Sequence, residues 1–379
     1  MYMPFNKLIY LVRLFQSYKY LLLLQIFTGF GTDLRAQDSL TKKATFEGRV
    51  YVDAYYSYDF NKPATHLKAP FLYNHNRHNE VNINLALASV SYKGERTRGN
   101  LGLMTGTYGK YNLAAEPQVL QHIYEANAGL KLSPAKELWL DVGVLPSHIG
   151  FESAISKDCW TLTRSILAEN SPYYEAGARL SYTTKNEQWY VAALFLNGWQ
   201  RIRRADGNNS PAFGTQVTYK PTKKLNINSS TFIGNDKPDS IKQWRYFHNL
   251  YATWQISKSL GLILGFDYGI EQKNPGSSSF NHWYSPVAMV RYEIDKWAIV
   301  ARAEYYRDKG GVIVPLVNAK PFQMQGYSIN ADRKISSNAL WRIEWRMLRN
   351  DQPYFERSNG YASSNHYVTT SVLIDFTRF

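Results

Sequence analysis

Residues 45–60, Thr45-Phe46-Glu47-Gly48-Arg49-Val50-Tyr51-Val52-Asp53-Ala54-Tyr55-Tyr56-Ser57-Tyr58-Asp59-Phe60, decide the fold. Phe46, Val50, Val52, Ala54, Tyr56, Tyr58 and Phe60 share one parity, and Glu47, Arg49, Tyr51, Asp53, Tyr55, Ser57 and Asp59 the other. Alternation at period two marks a β-strand whose two faces meet different surroundings. The run is far longer than the usual strand of about five or six residues.

The same alternation recurs along the chain. Ala176, Ala178, Leu180 and Tyr182 oppose Glu175, Arg179, Ser181 and Thr183, and Leu262, Leu264, Phe266, Tyr268 and Ile270 oppose Asp267 and Glu271. Trp297, Ile299, Ala301, Ala303 and Tyr305 oppose Arg302 and Glu304, and Trp341, Ile343, Trp345 and Met347 oppose Arg342, Glu344 and Arg346. Taken together the runs predict about 16 strands, starting near residues 45, 81, 97, 122, 138, 174, 189, 213, 225, 247, 260, 284, 297, 326, 339 and 366. Their connections alternate between tight turns, such as Lys93 to Arg96 and Asp295-Lys296, and stretches of eleven residues or more. Short turns at one end and long loops at the other are the layout of a transmembrane barrel. Closing the sheet around a polar lumen lets the apolar faces meet hydrocarbon and leaves no unpaired edge in the membrane. The expected fold class is therefore all-β: a transmembrane antiparallel up-and-down β-barrel with short periplasmic turns and long surface loops.

Composition agrees. Aromatic residues make up 15% and charged residues 20% of the chain, which excludes disorder. Beyond the first 30 positions no apolar run is long enough for a spanning helix. One cysteine, Cys159, excludes an intrachain disulfide framework and a multi-thiolate metal site. At the N-terminus Lys7, Arg13 and Lys19 precede an apolar stretch, Tyr20 to Phe30, and Leu34-Arg35-Ala36-Gln37 follows. This reads as a signal peptide, residues 1–36, ahead of a single barrel domain, residues 37–379. Its removal takes four basic residues and one acidic one, so the net charge falls from +14 to 14 − 3 = +11.

Outward-facing aromatics form two groups. Trp189, Trp254, Trp297 and Trp341 lie toward the short turns, and Tyr56, Tyr58, Tyr174, Tyr268 and Tyr305 toward the long loops, as two interfacial girdles require. The last strand places Val368, Val372, Ile374 and Phe376 on one face, with the terminal Phe379 at the opposite parity.

Several stretches carry a family resemblance: Arg98-Gly99-Asn100-Leu101, Pro146-Ser147-His148-Ile149-Gly150-Phe151-Glu152, Ser171-Pro172-Tyr173-Tyr174-Glu175-Ala176-Gly177, Asn197-Gly198-Trp199-Gln200, Arg302-Ala303-Glu304-Tyr305-Tyr306 and Ile374-Asp375-Phe376-Thr377. The sequence resembles the OmpL-like β-barrel porin family over essentially the whole mature chain. That resemblance implies a barrel in the bacterial outer membrane that forms a pore, with no catalytic residues and no substrate to carry over. The expected function is a porin for passive diffusion of small hydrophilic solutes and ions. The alternative is a surface-exposed binding or adhesion barrel with a loop-plugged lumen. Expected partners are outer-membrane lipid, lipopolysaccharide and small hydrophilic solutes, with a homotrimer as the assembly considered; no nucleic acid and no cofactor are expected.

The expected pore-lining residues are Glu47, Arg49, Asp53, Glu125, Lys131, Asp141, Glu175, Arg179, Asp267, Glu271, Arg302, Glu304, Arg342, Glu344 and Arg346. The connection from Pro146 to Tyr173 is the third and longest of the long loops. The layout resembles that of general sixteen-stranded porins, whose third outer loop folds inward and narrows the channel. Ile149, Phe151, Ile155, Trp160, Leu162, Ile166 and Leu167 suit packing against the wall, and Glu152, Lys157, Asp158, Arg164 and Glu169 suit facing the channel. A loop folded over the outside, or joining a subunit interface, is the competing reading.

No nucleophile elbow, phosphate loop, His-Glu-x-x-His or Cys-x-x-Cys motif is present, so no enzyme is expected. His148, Glu152 and Cys159 match no standard metal spacing. Trp199-Gln200-Arg201-Ile202-Arg203-Arg204 reads as a solvated loop, a contact for lipopolysaccharide phosphates or a pore-mouth element. The inward faces are mixed and slightly acidic. The excess positive charge falls in loops and turns, with Lys62, Lys68, Arg77, Arg201, Arg203, Arg204, Lys242 and Arg245 at the outer end. Weak ion selectivity is the expected result.

Overall fold

The computed structural model describes residues 44–317 and 320–378. The signal peptide expected at 1–36 and the terminal Phe379 lie outside the described residues. The barrel strands are β1 (Thr45–Asp59), β2 (Val81–Lys93), β3 (Thr97–Thr105), β4 (Ile123–Lys131), β5 (Glu137–Pro146), β6 (Tyr174–Thr183), β7 (Trp189–Leu196) and β8 (Ala212–Thr222). They continue with β9 (Leu225–Gly234), β10 (Arg245–Gln255), β11 (Leu260–Gln272), β12 (Phe280–Ile294), β13 (Trp297–Asp308), β14 (Phe322–Lys334), β15 (Ala339–Asn350) and β16 (Ser364–Arg378). Each pairs antiparallel with its sequence neighbours, and β1 pairs with β16 from Gly48↔Arg378 to Asp59↔Tyr367. The sheet is thus a closed sixteen-stranded barrel with no free edge.

The largest departures from the expected strand starts are four residues, at β12 (280 against 284) and β14 (322 against 326). Earlier starts shorten the outer connections, so 235–244 and 273–279 fall below the eleven residues expected of a long loop. At the other end Asp295 and Lys296 alone join β12 to β13. Asp295 takes a φ of 51°, as a two-residue hairpin demands and a short polar side chain tolerates.

Parity sorts the faces as the alternation requires. On β1 Tyr51, Asp53, Tyr55, Ser57 and Asp59 are buried inward, while Val50 is half exposed outward. Trp189, Trp254 and Trp297 are outward and exposed near the tight turns. Tyr174 departs from its expected place in the outer girdle. It is 3% exposed, its hydroxyl lies 3.4 Å from Glu116, and it packs with Tyr108 and Leu113 of the β3–β4 connection. A loop laid over the strand end covers a position that parity alone assigns to lipid.

Leu264 is outward and 49% exposed in the middle of β11, whereas Asp267 is inward and 2% exposed. Leu264→Arg is expected to cost about 2–4 kcal/mol and to lower barrel yield. Asp267→Asn, which keeps a partner in Asn249, is expected to assemble normally. Equal heat-modifiable electrophoretic mobility and yield for the two variants would mean that the face assignment is wrong.

The lumen holds protein. In its outer half Phe71, Ile149, Ile166, Phe232, Phe247, Trp283, Phe322 and Tyr354 form one buried apolar cluster built from wall and loops together. Two short helices belong to those loops: α1 (Thr107–Asn112) between β3 and β4, and α2 (Ile166–Glu169) between β5 and β6.

Candidate functional site in the barrel lumen

The β5–β6 connection, residues 147–173, leaves and re-enters the wall at one neck, where the Ser147 amide donates to the Tyr173 carbonyl at 3.1 Å. From that neck it descends inside the barrel. His148 stands 2.7 Å from Glu175 through Nδ1 and donates from Nε2 to the Thr231 carbonyl at 2.8 Å. Burial opposes charging of His148, but the Glu175 carboxylate and these hydrogen bonds outweigh it and hold the imidazole above its ordinary 6.5.

Deeper in, apolar side chains of the loop seat on glycines of β11. The inner face of that strand reads Gly261, Ile263, Gly265, Asp267, Gly269. A Cβ at Gly261 would lie 2.7 Å from the Trp160 indole, and one at Gly265 would lie 2.7 Å from the Phe151 ring. The missing side chains are the space those rings occupy.

The opposite flank of the loop is held by charge. Arg342 is bidentate to Asp332 at 2.8 Å and donates to the carbonyls of Ser156, Cys159 and Trp160. Arg302 pairs with Glu344 at 2.7 Å and donates to the Thr163 carbonyl at 2.8 Å. Arg346 pairs with Glu304 and donates to the Arg164 carbonyl at 2.8 Å. The carboxylates complete the pattern: Glu344 accepts the Thr163 amide and Glu304 the Ile166 amide, both at 2.6 Å. The side chains of Arg302, Arg342, Arg346, Glu304 and Glu344 are fully buried. Wall cations thus bind loop carbonyls and wall carboxylates bind loop amides, so each buried charge has a partner.

Other outer loops lock onto the third. Glu169 accepts the Tyr73 and Asn74 amides of the β1–β2 connection, and burial pushes its carboxyl up to about 7. His75 of the same connection reaches 2.9 Å from Asp53 on the inner wall. Gln200 accepts the Tyr173 amide, and Trp199 packs on Phe232, Phe247 and Trp283.

The model of the family described as "Putative beta-barrel porin-2, OmpL-like" matches residues 45–376, from the first strand nearly to the end of the last. The chain belongs to that family. This porin also resembles solved outer-membrane barrels. An anion-selective porin from Comamonas acidovorans aligns with a TM-score of 0.55 and 9% identity, over 88% of this chain and 99% of its own. The channel DcaP of Acinetobacter baumannii aligns at 0.56 and 11%, over 88% and 97%. OmpT of Vibrio cholerae aligns at 0.54 and 9%, over 89% and 100%. At such identities the likeness is one of fold. No curated protein matches the chain. Family and architecture together place the porin in the bacterial outer membrane.

The inward residues named from the sequence separate into two sets within the porin. Asp53, Asp141, Glu175, Asp267, Glu271, Arg302, Glu304, Arg342, Glu344 and Arg346 are on the inner face but buried, most of them against loops. Arg49 and Arg179 keep side chains 23% and 21% exposed to the lumen, Glu125 is half-buried, and Glu47 and Lys131 lie at the periplasmic rim. On the third loop Lys157 and Asp158 are exposed and Glu152 is half-buried against Ser165. Arg164 and Glu169 do not face open lumen. Arg164 turns back to clamp the carbonyls of Ser153, Ala154 and Leu162, and Glu169 holds the first loop. Lys68 is no mouth charge either: it is buried beneath the Tyr367 ring, and desolvation pushes its ammonium down to about 7. Arg245, also counted with the outer charges, is buried between Asp236 and Glu271.

Arg98, Asp332 and Asp375 are inner-face charges that the sequence reading did not name as such. Arg98 is bidentate to Asp141 at 2.6 and 2.7 Å and stacks over Trp139 at 4.3 Å. Its parity, opposite to the outward Leu101 and Leu103, is the signal that would have found it. His148, Glu152 and Cys159 do not converge: Glu152 bonds Ser165, His148 bonds Glu175, and Cys159 sits against Ser153 and Ile155. No cluster suited to a metal ion occurs among the described residues.

Proposed function

We propose that this outer-membrane porin passes small hydrophilic solutes and ions by passive diffusion, with the third outer loop as its constriction. The observation that carries the reading is the loop's path: it runs down the lumen seated on β11, hydrogen-bonded to buried ion-paired side chains of β13–β15 and tied to β16 by Lys157–Asp375, and so fills the bore along β11–β16. The opposite side, along β1 and β3–β6, keeps the partly exposed Arg49, Arg98 and Arg179 and faces Lys157 and Asp158 of the loop. A cavity of about 230 Å³ beside Tyr124 and Tyr251 marks space at the neck of the loop, and one of about 280 Å³ lies between the loop and β10–β11, beside Asp158 and Thr253. The family and the fold are those of a channel, and we assign no catalytic role to any residue.

A second reading has a specific observation in its favour. The outer mouth is covered by loops that pack on one another, with Phe71 against Tyr354 and Tyr108 against Tyr173. A surface-binding barrel with a plugged lumen fits that cover. Planar-bilayer recording separates the two. The diffusion channel predicts discrete conductance steps with weak selectivity. Any anion preference should fade from 0.1 M to 1 M salt as the Debye length falls from about 10 to about 3 Å. A folded barrel that stays silent at every potential sinks the channel and leaves the binding barrel.

A further inference from the structure

The cavity of about 230 Å³ at the neck of the third loop has aromatic walls: Tyr108 of the β3–β4 connection, Tyr124 of β4, Phe151 and Tyr173 of the loop itself, and Tyr251 of β10. Local structure aims these rings inward. At the outer end of β4 a bulge sets Gly102 opposite Glu125 and Leu103 opposite Ile123, so Tyr124 is the extra residue. It turns into the lumen against Gly102, where a Cβ would lie 3.2 Å from its ring. Tyr251 has the inward parity of Asn249 and meets the Phe151 ring edge-on, with centroids 5.6 Å apart. On the loop side a Cβ on Gly150 would meet nothing within 4 Å, so the space beside it is open.

Polar groups reach the same space. Among the described residues the hydroxyls of Tyr108 and Tyr124 bond to no protein group, which leaves each free to donate and accept. Glu152 lines the cavity as an acceptor and takes the amide and hydroxyl of Ser165. An aromatic cage around a bare carboxylate suits a cation. Here Arg302 and Arg164 stand near enough to Glu152 to compensate its charge, so the cage suits a neutral ligand. The cavity also continues downward. Phe151 and Glu152 line the 280 Å³ cavity as well, and Tyr251 and Thr253, one in each cavity, are successive inward positions of β10 about 7 Å apart. That lower cavity reaches Lys223 and Lys224 of the β8–β9 turn, at the periplasmic end. Apolar ring faces with a few convergent hydroxyls and one acceptor match a ligand with flat C–H faces and a rim of hydroxyls.

We propose that the neck cavity binds the pyranose ring of a neutral sugar, its C–H faces against Tyr124, Phe151 and Tyr251 and its hydroxyls on the phenols and Glu152. The proposal rests on the loop placement used for the diffusion channel and names one class among the solutes that pass it. Its test needs no current. Detergent-purified porin is titrated by saturation-transfer difference NMR with methyl glucopyranoside, with open-chain sorbitol and with choline, and the glucoside is expected to bind most tightly. Tyr251→Ala removes a ring face from the wall and is expected to weaken glucoside binding about ten-fold. Tyr124→Phe keeps the ring and loses one hydroxyl, for about a five-fold loss. Tyr292→Ala, which removes a ring 51% exposed on the outward wall, should leave binding unchanged. Heat-modifiable mobility confirms that each variant is a folded barrel. Unchanged glucoside affinity in both lumen variants overturns the proposal, as does binding of sorbitol or choline as tight as that of the glucoside. A conducting barrel that binds no glucoside overturns this site alone. A barrel that binds it in detergent yet stays silent in the bilayer sinks the diffusion channel and leaves the site standing.

Discussion

Replacing residues 149–171 by two glycines is expected to yield a folded barrel whose single-channel conductance rises several-fold over the full chain. The barrel does not need the loop to close, because every strand pairs with its neighbours and β1 with β16. The Ser147 to Tyr173 hydrogen bond holds the two ends of the loop together, so a short linker spans the gap. Deletion strips loop partners from Arg302, Arg342, Arg346, Glu304 and Glu344, but it also admits water to the same space. The charges are then solvated rather than stranded in a dry interior, which is the costly outcome. The deletion also takes away Glu169, which holds the first loop through Tyr73 and Asn74, so the outer cover loosens with the plug. Planar-bilayer recording at several potentials measures the effect. A folded deletion variant with the conductance of the full chain would show that the loop does not obstruct the path.

Arg342→Ala is expected to raise the rate at which a maleimide labels Cys159 by about two orders of magnitude or more. Cys159 is the one cysteine of the chain, it is 5% exposed, and burial pushes its thiol above the usual range, so the docked loop protects it. Arg342 donates to Asp332 and to the carbonyls of Ser156, Cys159 and Trp160. Truncation leaves the Asp332 carboxylate without its counter-charge, with Asn330 as its remaining donor, and takes a donor from each of those carbonyls while the loop still excludes water. Breaking a buried ion pair by removing one partner costs about 3–5 kcal/mol. When opening is fast relative to labelling, the rate follows the open population, and about 1.4 kcal/mol is a factor of ten. Arg333→Ala, on the exposed side of the neighbouring strand β14, serves as the control and should label at the rate of the unmodified protein. Equal rates for Arg342→Ala and the unmodified porin, with both barrels folded, would mean that the loop is held by its apolar seats on β11 rather than by charge.

The strands, their order and their faces were legible from the sequence because period two is a local property. Phe46, Val50 and Val52 point one way and Tyr51 and Asp53 the other whatever else the chain does, and lipid on one side makes the difference visible in residue type. The alternation of tight turns and long loops then determined which end is which, and the place of 146–173 as the third and longest loop suggested an inward fold while a fold over the outside stayed open. Tertiary structure alone decided what the inner face touches. Parity places Arg302, Arg342 and Arg346 in the lumen but does not distinguish water from a loop backbone. Their partners in the third loop stand 139 to 186 positions away, and Lys157 meets Asp375 across 218. The same distance in sequence hid the burial of Lys68 under Tyr367 and the covering of Tyr174 by the β3–β4 connection. Backbone geometry is set by neighbours along the chain, whereas the filling of a closed barrel is set by which distant loop reaches each wall charge before water does.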